Sequence, residues 1–521
     1  MPRFFNTAGP CNPLDHYMLP PERRLPDVRR LIEQKQYFTI HAPRQVGKTT
    51  SFRTLAEALT AEGRYTALLT TCEAAQAAGA DLDRGISAVL QTLRQDAALR
   101  LPTELRPPEE DLSFDPTTRL RDVLIRWAQR SPRPVVLFLD EIDALLDAAL
   151  ISVLRQLRSG YPERPRNFPQ SVALIGLRDV RDYRLDLRPD SHSLGTSSPF
   201  NIKVESLTLR NFTADEVAEL YSQHTAESGQ VFAPEALYLA WELTGGHPWL
   251  VNALARQAVE RIAPDPVIPV TVEVIEAAKE ALIQRRDTHL DSLIDRLREP
   301  RVRRVLEPLL AGEPLGADVL NDDVQFVKDL GLVVSTPDGL SVANPVYREV
   351  IPRALTSLLE QSVGVPRPSY VGQDGRLRFD LLLEDFRAFW CQHAEAFLSS
   401  APYTEAAAQL VFMAFLQKVV NGGGFIDREY AVGRGRVDLC VRWPSPAGVE
   451  RWAVELKVWR DGRPDPQEEG LEQLSRYLER LGLNQGTLIV FDLRSKARPL
   501  PERSSRQALE NQGRRISILR L

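Results

Sequence analysis

The apolar run Tyr37-Phe38-Thr39-Ile40 leads through His41-Ala42-Pro43-Arg44-Gln45-Val46 into Gly47-Lys48-Thr49-Thr50, and a helix-patterned run follows. Strand, bent loop and helix in that order can bind phosphate. The loop's backbone N–H groups and the positive end of the helix face the anion. Pro43, Arg44, Gln45, Val46, Gly47 and Thr50 are expected to form the cradle. Lys48 would reach the β- and γ-phosphates, and the Thr49 hydroxyl would hold Mg²⁺. Ala42 stands where a glycine is usual, so the loop must avoid positive φ there. A second run, Val135 to Leu139, ends in Asp140-Glu141. Asp140 is expected in the Mg²⁺ shell, with Glu141 polarising a water against the γ-phosphate. Each half alone is also compatible with an ordinary core strand and polar turn. Both in this order read as an ATP-type NTPase.

A second constellation lies near the other end. Glu455 and Lys457 are two apart, so a strand would point both to one face. Asp438, on the strand expected beside it, can meet them. The two carboxylates would bind Mg²⁺ through oxygen, and the metal would activate a water against a scissile phosphate. Lys457 would orient that water. The plainer reading is a Glu–Lys pair on an edge strand. Glu405 on a preceding helix, and Gln473 and Tyr477 one turn apart on a following one, favour the chemical reading. One further candidate is Arg178, at the tip of the strand Ser171–Leu177, as a γ-phosphate sensor. Arg181 or Arg184 could act in trans on a neighbouring copy.

The elements that must position these residues alternate between strand and helix from residue 37 to about 209, an α/β pattern that argues for a parallel sheet between helices. Tyr17, in an irregular lead-in, is a candidate base contact or, equally, a buried tyrosine of a surface arm. Residues 100–116, rich in Pro and Glu, read as a surface loop. Residues 207–290 are helical, with a capping box at Thr213-Ala214-Asp215-Glu216 and a break at Gly245-Gly246-His247-Pro248. The order helix, helix, hairpin, helix follows, as in a winged helix. Its second helix carries Asp318, Asp322, Asp323 and Asp329 against Lys328, which favours packing over DNA contact. Residues 360–378 read as a linker. The strand Leu488–Asp492 reads as the last of a C-terminal sheet, with an arginine-rich tail after it. The resulting division is 1–206, 207–294, 295–358, 359–378 and 379–521.

With 521 residues the chain is too long for one core. It is 43% hydrophobic and 26% charged, an ordinary balance for a globular protein. Net charge is −5, so nucleic-acid contact must be local. Cys11, Cys72, Cys391 and Cys440 show no paired spacing and read as reduced thiols of a cytoplasmic protein. No apolar run approaches the ~20 residues of a membrane span.

Two resemblances follow from these motifs. Residues 1 to about 356, through the loop ending in Gly47-Lys48-Thr49, the run Leu139-Asp140-Glu141-Ile142-Asp143 and Gly245-Gly246-His247-Pro248, resemble AAA-type ATPases of the signal-transduction class, which are close to archaeal and origin-recognition ATPases. The resemblance implies a P-loop core, a helical lid, a winged helix and nucleotide contacts from Gly246, His247 and Pro248. The lid arginine usual in that family is not visible. Residues 379–521 resemble the PD-(D/E)XK nuclease superfamily, with a mixed sheet flanked by helices. That implies catalytic Asp438, Glu455 and Lys457, with Glu405, Gln473 and Tyr477 auxiliary. Val437 stands where a proline is usual.

The expectation is an ATPase, using ATP and Mg²⁺, that controls a Mg²⁺-dependent nuclease. Its partner would be nucleic acid, DNA by preference, with homo-oligomerisation open and no membrane contact. Defence or mobile-element maintenance would fit by analogy alone. The alternative is an ATP-dependent DNA- or protein-binding switch whose nuclease-like domain is non-catalytic. A third reading, a pure NTPase remodeller, would need ring assembly and an arginine acting in trans.

Overall fold

A computed structural model describes residues 2–109, 115–177, 203–285, 293–310, 322–337, 339–360, 370–400, 407–420, 424–432, 435–511 and 513–521. Arg178, Arg181, Arg184, Asp318 and Glu405 lie outside the described residues. The chain divides into two compact units: Met1–Arg285 with Gln325–Leu332, and Arg286–Val324 with Val333–Leu521.

The first unit is built on a five-stranded parallel sheet of order β2-β3-β4-β1-β5. Its strands are β1 (Tyr37–His41), β2 (Thr66–Thr71), β3 (Val135–Asp140), β4 (Ser171–Gly176) and β5 (Lys203–Thr208). Helices α1 (Val28–Glu33), α2 (Lys48–Ala61), α3 (Leu82–Arg100), α4 (Arg119–Arg130) and α5 (Asp147–Gly160) cover it. Side chains alternate along each strand, so near-continuous apolar runs feed two cores. Phe38, Ile40, Phe138 and Ile175 meet Val28, Leu31, Phe52 and Leu55 on one face. Leu137, Leu139, Val172 and Leu174 meet Val89, Leu93, Trp127 and Val153 on the other. This puts the ends of β1 and β3, and the turn into α2, at the carboxyl edge of the sheet, where open α/β sheets bind ligands.

Two sequence readings change here. Helix α3 continues to Arg100, and the segment after it is not a surface loop throughout. Leu101 and Leu105 are buried in the core, and the Trp127 indole N–H donates to the Leu105 carbonyl at 2.8 Å. Tyr17 is core rather than a base contact. It is 2% exposed, packs on Phe5 and donates its hydroxyl hydrogen to Glu227.

Four helices follow: α6 (Ala214–Ser228), α7 (Pro234–Thr244), α8 (Pro248–Gln257) and α9 (Val272–Arg285). The Thr213–Glu216 capping box is formed in both directions. Gly245 ends α7 in the left-handed region, and Pro248 opens α8. Gly246 has no substitute. A Cβ there would lie 2.0 Å from the Phe212 carbonyl oxygen, and the Phe212 N–H donates to the Gly246 carbonyl at 2.9 Å.

The order helix, helix, hairpin, helix is present as α10 (Pro300–Leu310), α11 (Asp322–Asp329), β6 (Val333–Thr336), β7 (Gly339–Val342) and α12 (Pro345–Glu360). Asp323 is taken by Arg301 and Arg304 at 2.7 and 2.6 Å, a packing use of that acidic helix start.

The C-terminal sheet has six strands in the order β12-β13-β11-β10-β9-β8. They are β8 (Phe425–Val432), β9 (Gly435–Ser445), β10 (Gly448–Trp459), β11 (Gln485–Asp492), β12 (Ser505–Asn511) and β13 (Arg514–Arg520). Strands β8, β9 and β10 are antiparallel neighbours, whereas β10, β11 and β13 run parallel, so the sheet is mixed. Helices α13 (Phe379–Ser400) and α14 (Ala407–Val420) bury Phe386, Trp390, Phe412 and Phe415 on one face. Helix α15 (Gln467–Leu481) lays Leu474 and Leu478 on the other. A short α16 (Leu500–Arg503) precedes β12.

Strand β11 does not close the sheet, because the arginine-rich tail folds into the β12–β13 hairpin beside it. Its arginines have protein partners: Arg494 binds Asp492 at 2.7 Å and stacks on Trp459, and Arg520 binds Asp465 at 2.8 Å. Residues 370–378 are not linker, since Tyr370 and Leu377 are buried in the α13–α14 core. No described helix is long and apolar enough to cross a membrane.

Candidate functional site

The loop between β1 and α2 takes its left-handed positions at Gln45 (φ 58°) and Gly47 (φ 89°), not at Ala42. Ala42 and Val46 are buried, which anchors both ends of the bend. Arg24, 6% exposed, braces the loop from outside. Its Nη1 donates to the Val46 carbonyl at 2.8 Å and its Nε to the Arg210 carbonyl at 2.8 Å. Burial, and then Arg210, lower the Arg24 guanidinium to about 10. Arg210 is itself held by Glu216 at 2.6 and 2.8 Å.

Inside the loop the Lys48 ammonium donates to the carbonyls of Ala42 and Pro43 at 2.7 and 2.8 Å. Burial, partly offset by Asp140, lowers it to about 8. Thr49 Oγ1 donates to Asp140 Oδ2 at 2.6 Å. Asp140 is 2% exposed, and burial raises its carboxyl above the usual range. Glu141 sits in the left-handed region at φ 53°, a conformation a non-glycine residue adopts at some cost and that clusters at functional sites. Burial first, then Glu73, raise its carboxyl.

These groups open onto a cavity of about 520 Å³, within the range of small-molecule sites. Arg44, Gln45, Gly47, Lys48, Thr49, Thr50, Asp140, Glu141 and Pro248 are among its lining residues. Pro43, Val46 and His247 are not among its lining residues. Val46 is committed to the core and to Arg24. His247 is 4% exposed at the start of α8, its ring buried in the protein. Sequence reading missed the N-terminal arm, which supplies Asn6, Thr7, Gly9, Pro10 and Cys11, and also missed Glu73, Gln76, Trp249 and Asn252. The arm is tied down: Cys11 N–H donates to Thr50 Oγ1 at 3.0 Å, and the Trp249 indole donates to the Thr7 carbonyl at 2.9 Å.

Residues 25–168 match the AAA ATPase domain family. The N-terminal region carries an AAA-type P-loop ATPase domain. Solved structures similar to the chain include the Walker-type ATPase of Pyrococcus abyssi, at 16% identity and TM-score 0.45, covering 67% of this chain and 99% of that one. The RuvB Holliday junction branch migration motor of Thermotoga maritima has 14% identity and TM-score 0.34, covering 63% and 92%. Cdc6p of Pyrobaculum aerophilum has 13% identity and TM-score 0.35, covering 66% and 94%. No curated protein matches this chain.

The ATPase domain's cavity suits nucleotide and metal. A phosphate in the cradle would offer the Lys48 cation charged oxygens in place of the Ala42 and Pro43 carbonyls, in a setting whose burial disfavours its charge. The paired oxygens of Thr49 and Asp140 are hard ligands of the kind Mg²⁺ takes.

The second constellation lies outside the matched residues. On β10, Lys457 Nζ sits 3.2 Å from Glu455 Oε1 and donates to Gln473 Oε1 on α15 at 2.5 Å. Gly470 lets α15 pass this close, because a Cβ there would meet Leu488 Cδ1 at 2.7 Å and Lys457 Cγ at 3.2 Å. Asp438 on β9 accepts from the Leu456 N–H at 2.8 Å, next to Glu455. Glu455 is 3% exposed; burial first, then Asp438, push its carboxyl up to about 8. Its Oε2 is buried without a hydrogen-bond partner among the described residues. Tyr477, on α15, packs against the small core. Asp438, Glu455, Lys457 and Gln473 are thus brought together. Among the described residues no group of three or more His, Cys, Asp or Glu is placed to hold a metal. A Mg²⁺ ion bound by two carboxylates and water needs no more.

Proposed function

We propose that the ATPase domain controls a Mg²⁺-dependent nuclease centred on Asp438, Glu455 and Lys457, with DNA as the preferred substrate. The observation that carries this reading is the buried Glu455 Oε2, without a hydrogen-bond partner among the described residues, beside Asp438 and Lys457. A buried acceptor left unpaired is costly, and an oxygen-seeking cation would relieve it. Mg²⁺ at this pair would supply Lewis acidity and an activated water. Lys457 would hold the attacking water and the developing phosphate charge, steadied by Gln473. Residues 207–294 would serve as the lid over the nucleotide, and residues 295–358 as a winged helix used for packing.

In the ATPase domain, Lys48 would leave the loop carbonyls for phosphate oxygens. Thr49 and Asp140 would hold the metal shell, and Glu141 would draw the proton from water. The test is cleavage of plasmid and single-stranded DNA by the full chain with Mg²⁺ or Mn²⁺. Cleavage by the native chain and none by Lys457→Ala is expected. Equal cleavage by both would remove the site assignment. No cleavage by either would favour the non-catalytic binding switch.

A further inference from the structure

We infer that Asn252 selects adenine over guanine, by accepting a hydrogen bond from the 6-amino group of the purine. This rests on the reading of the cavity as a nucleoside triphosphate site.

Asn252 is 7% exposed and lines the cavity. Its Nδ2 donates to the Pro248 carbonyl one turn back in α8, at 2.8 Å. That bond fixes which end of the amide remains available. The remaining atom, Oδ1, is buried and has no hydrogen-bond partner among the described residues.

Its place in the cavity follows from the helix face. Trp249 and Arg256 flank it at spacings of three and four residues, and so share its side of α8. Both reach Thr7 of the arm, Trp249 through the Thr7 carbonyl and Arg256 through Thr7 Oγ1 at 2.9 Å. Asn252 therefore faces the Thr7 end of the cavity. That end carries the flat or apolar surfaces of Trp249, Pro248 and Pro10, which suit a purine ring. An acceptor fixed there complements the donor at adenine position 6. Guanine presents an oxo acceptor at the same position, so the two lone pairs would repel.

The experiment measures binding of ATP, GTP and purine riboside triphosphate, which carries hydrogen in place of the 6-amino group. The full chain and Asn252→Ala are compared. The native chain is expected to bind ATP about tenfold more tightly than purine riboside triphosphate, the scale of one buried hydrogen bond. Asn252→Ala should bind both alike, at the native affinity for the analogue. Equal native binding of ATP and the analogue would overturn the inference, and this comparison needs no variant to fold. So would an equal weakening of both in Asn252→Ala, which would make Asn252 merely structural. If no triphosphate binds the native chain, the nucleotide reading fails with it.

Discussion

Thr49 and Asp140 are the pair on which metal-dependent nucleotide binding should turn. Their 2.6 Å bond joins the loop after β1 to the end of β3, past the intervening β4. Thr49→Ala should lower affinity for Mg²⁺-ATP by tenfold or more, on the order of one charge-assisted contact, with little change when the metal is chelated. Titration of a fluorescent ATP analogue with and without chelator checks this; an equal loss in both conditions would place Thr49 outside the metal shell. Arg24 acts differently, through the loop's backbone. Arg24→Met leaves the Val46 and Arg210 carbonyls without their donor. It should cost about 2–4 kcal/mol by urea unfolding and weaken nucleotide binding as the loop loosens. No motif announces Arg24, because its partners are backbone atoms 22 and 186 residues away in sequence. Lys48, Thr49 and Asp140 were legible because their chemistry demands those side chains at fixed distances from a strand end.

Among the elements, α6 is tied to the loop through Arg210 and Arg24, and α8 to the N-terminal arm through Trp249 and Arg256. Glu216 closes the capping box of α6 and holds Arg210, which in turn accepts from Arg24. Arg210 is the first cause of the lowered Glu216 carboxyl. A depressed folded value means that the ion pair stabilises above the unfolded carboxyl's ordinary 4.5 and is lost as pH falls through the folded value. Glu216→Gln should therefore be less stable than the native chain by about 1–3 kcal/mol at pH 7. The gap should shrink as the pH is taken below about 4, which denaturant unfolding at several pH values reads directly. A gap that stays constant would mean that the charge is not what matters. Gly246→Ala would push a Cβ against the Phe212 carbonyl and strain a φ of 66°. It should lower the unfolding midpoint by more than any single cap substitution; an unchanged midpoint would contradict the close approach. The apolar runs of β1, β3, β4 and β11 could be read because strands buried on both faces need no alternation. The β12–β13 hairpin could not. Arg514, Arg515 and Arg520 drew that tail toward a charged surface, whereas Ile516, Ile518 and Leu519 carry it into the sheet. Leu101 and Leu105 were hidden in the same way by the prolines and glutamates around them.

At the scale of the whole molecule, the proposed function joins an ATPase domain to a Mg²⁺-dependent cleavage centre in one chain. The nucleotide cavity lies within the first unit and the Asp438–Glu455–Lys457 centre within the second, so control requires that ATP binding alter cleavage. The most direct measurement is the rate of plasmid cleavage in Mg²⁺ with and without ATP, for the native chain and for Lys48→Ala. Control by the ATPase domain predicts cleavage that changes with ATP in the native chain and does not respond to ATP in Lys48→Ala. Native cleavage at the same rate with and without ATP would contradict it, leaving two independent activities in one polypeptide.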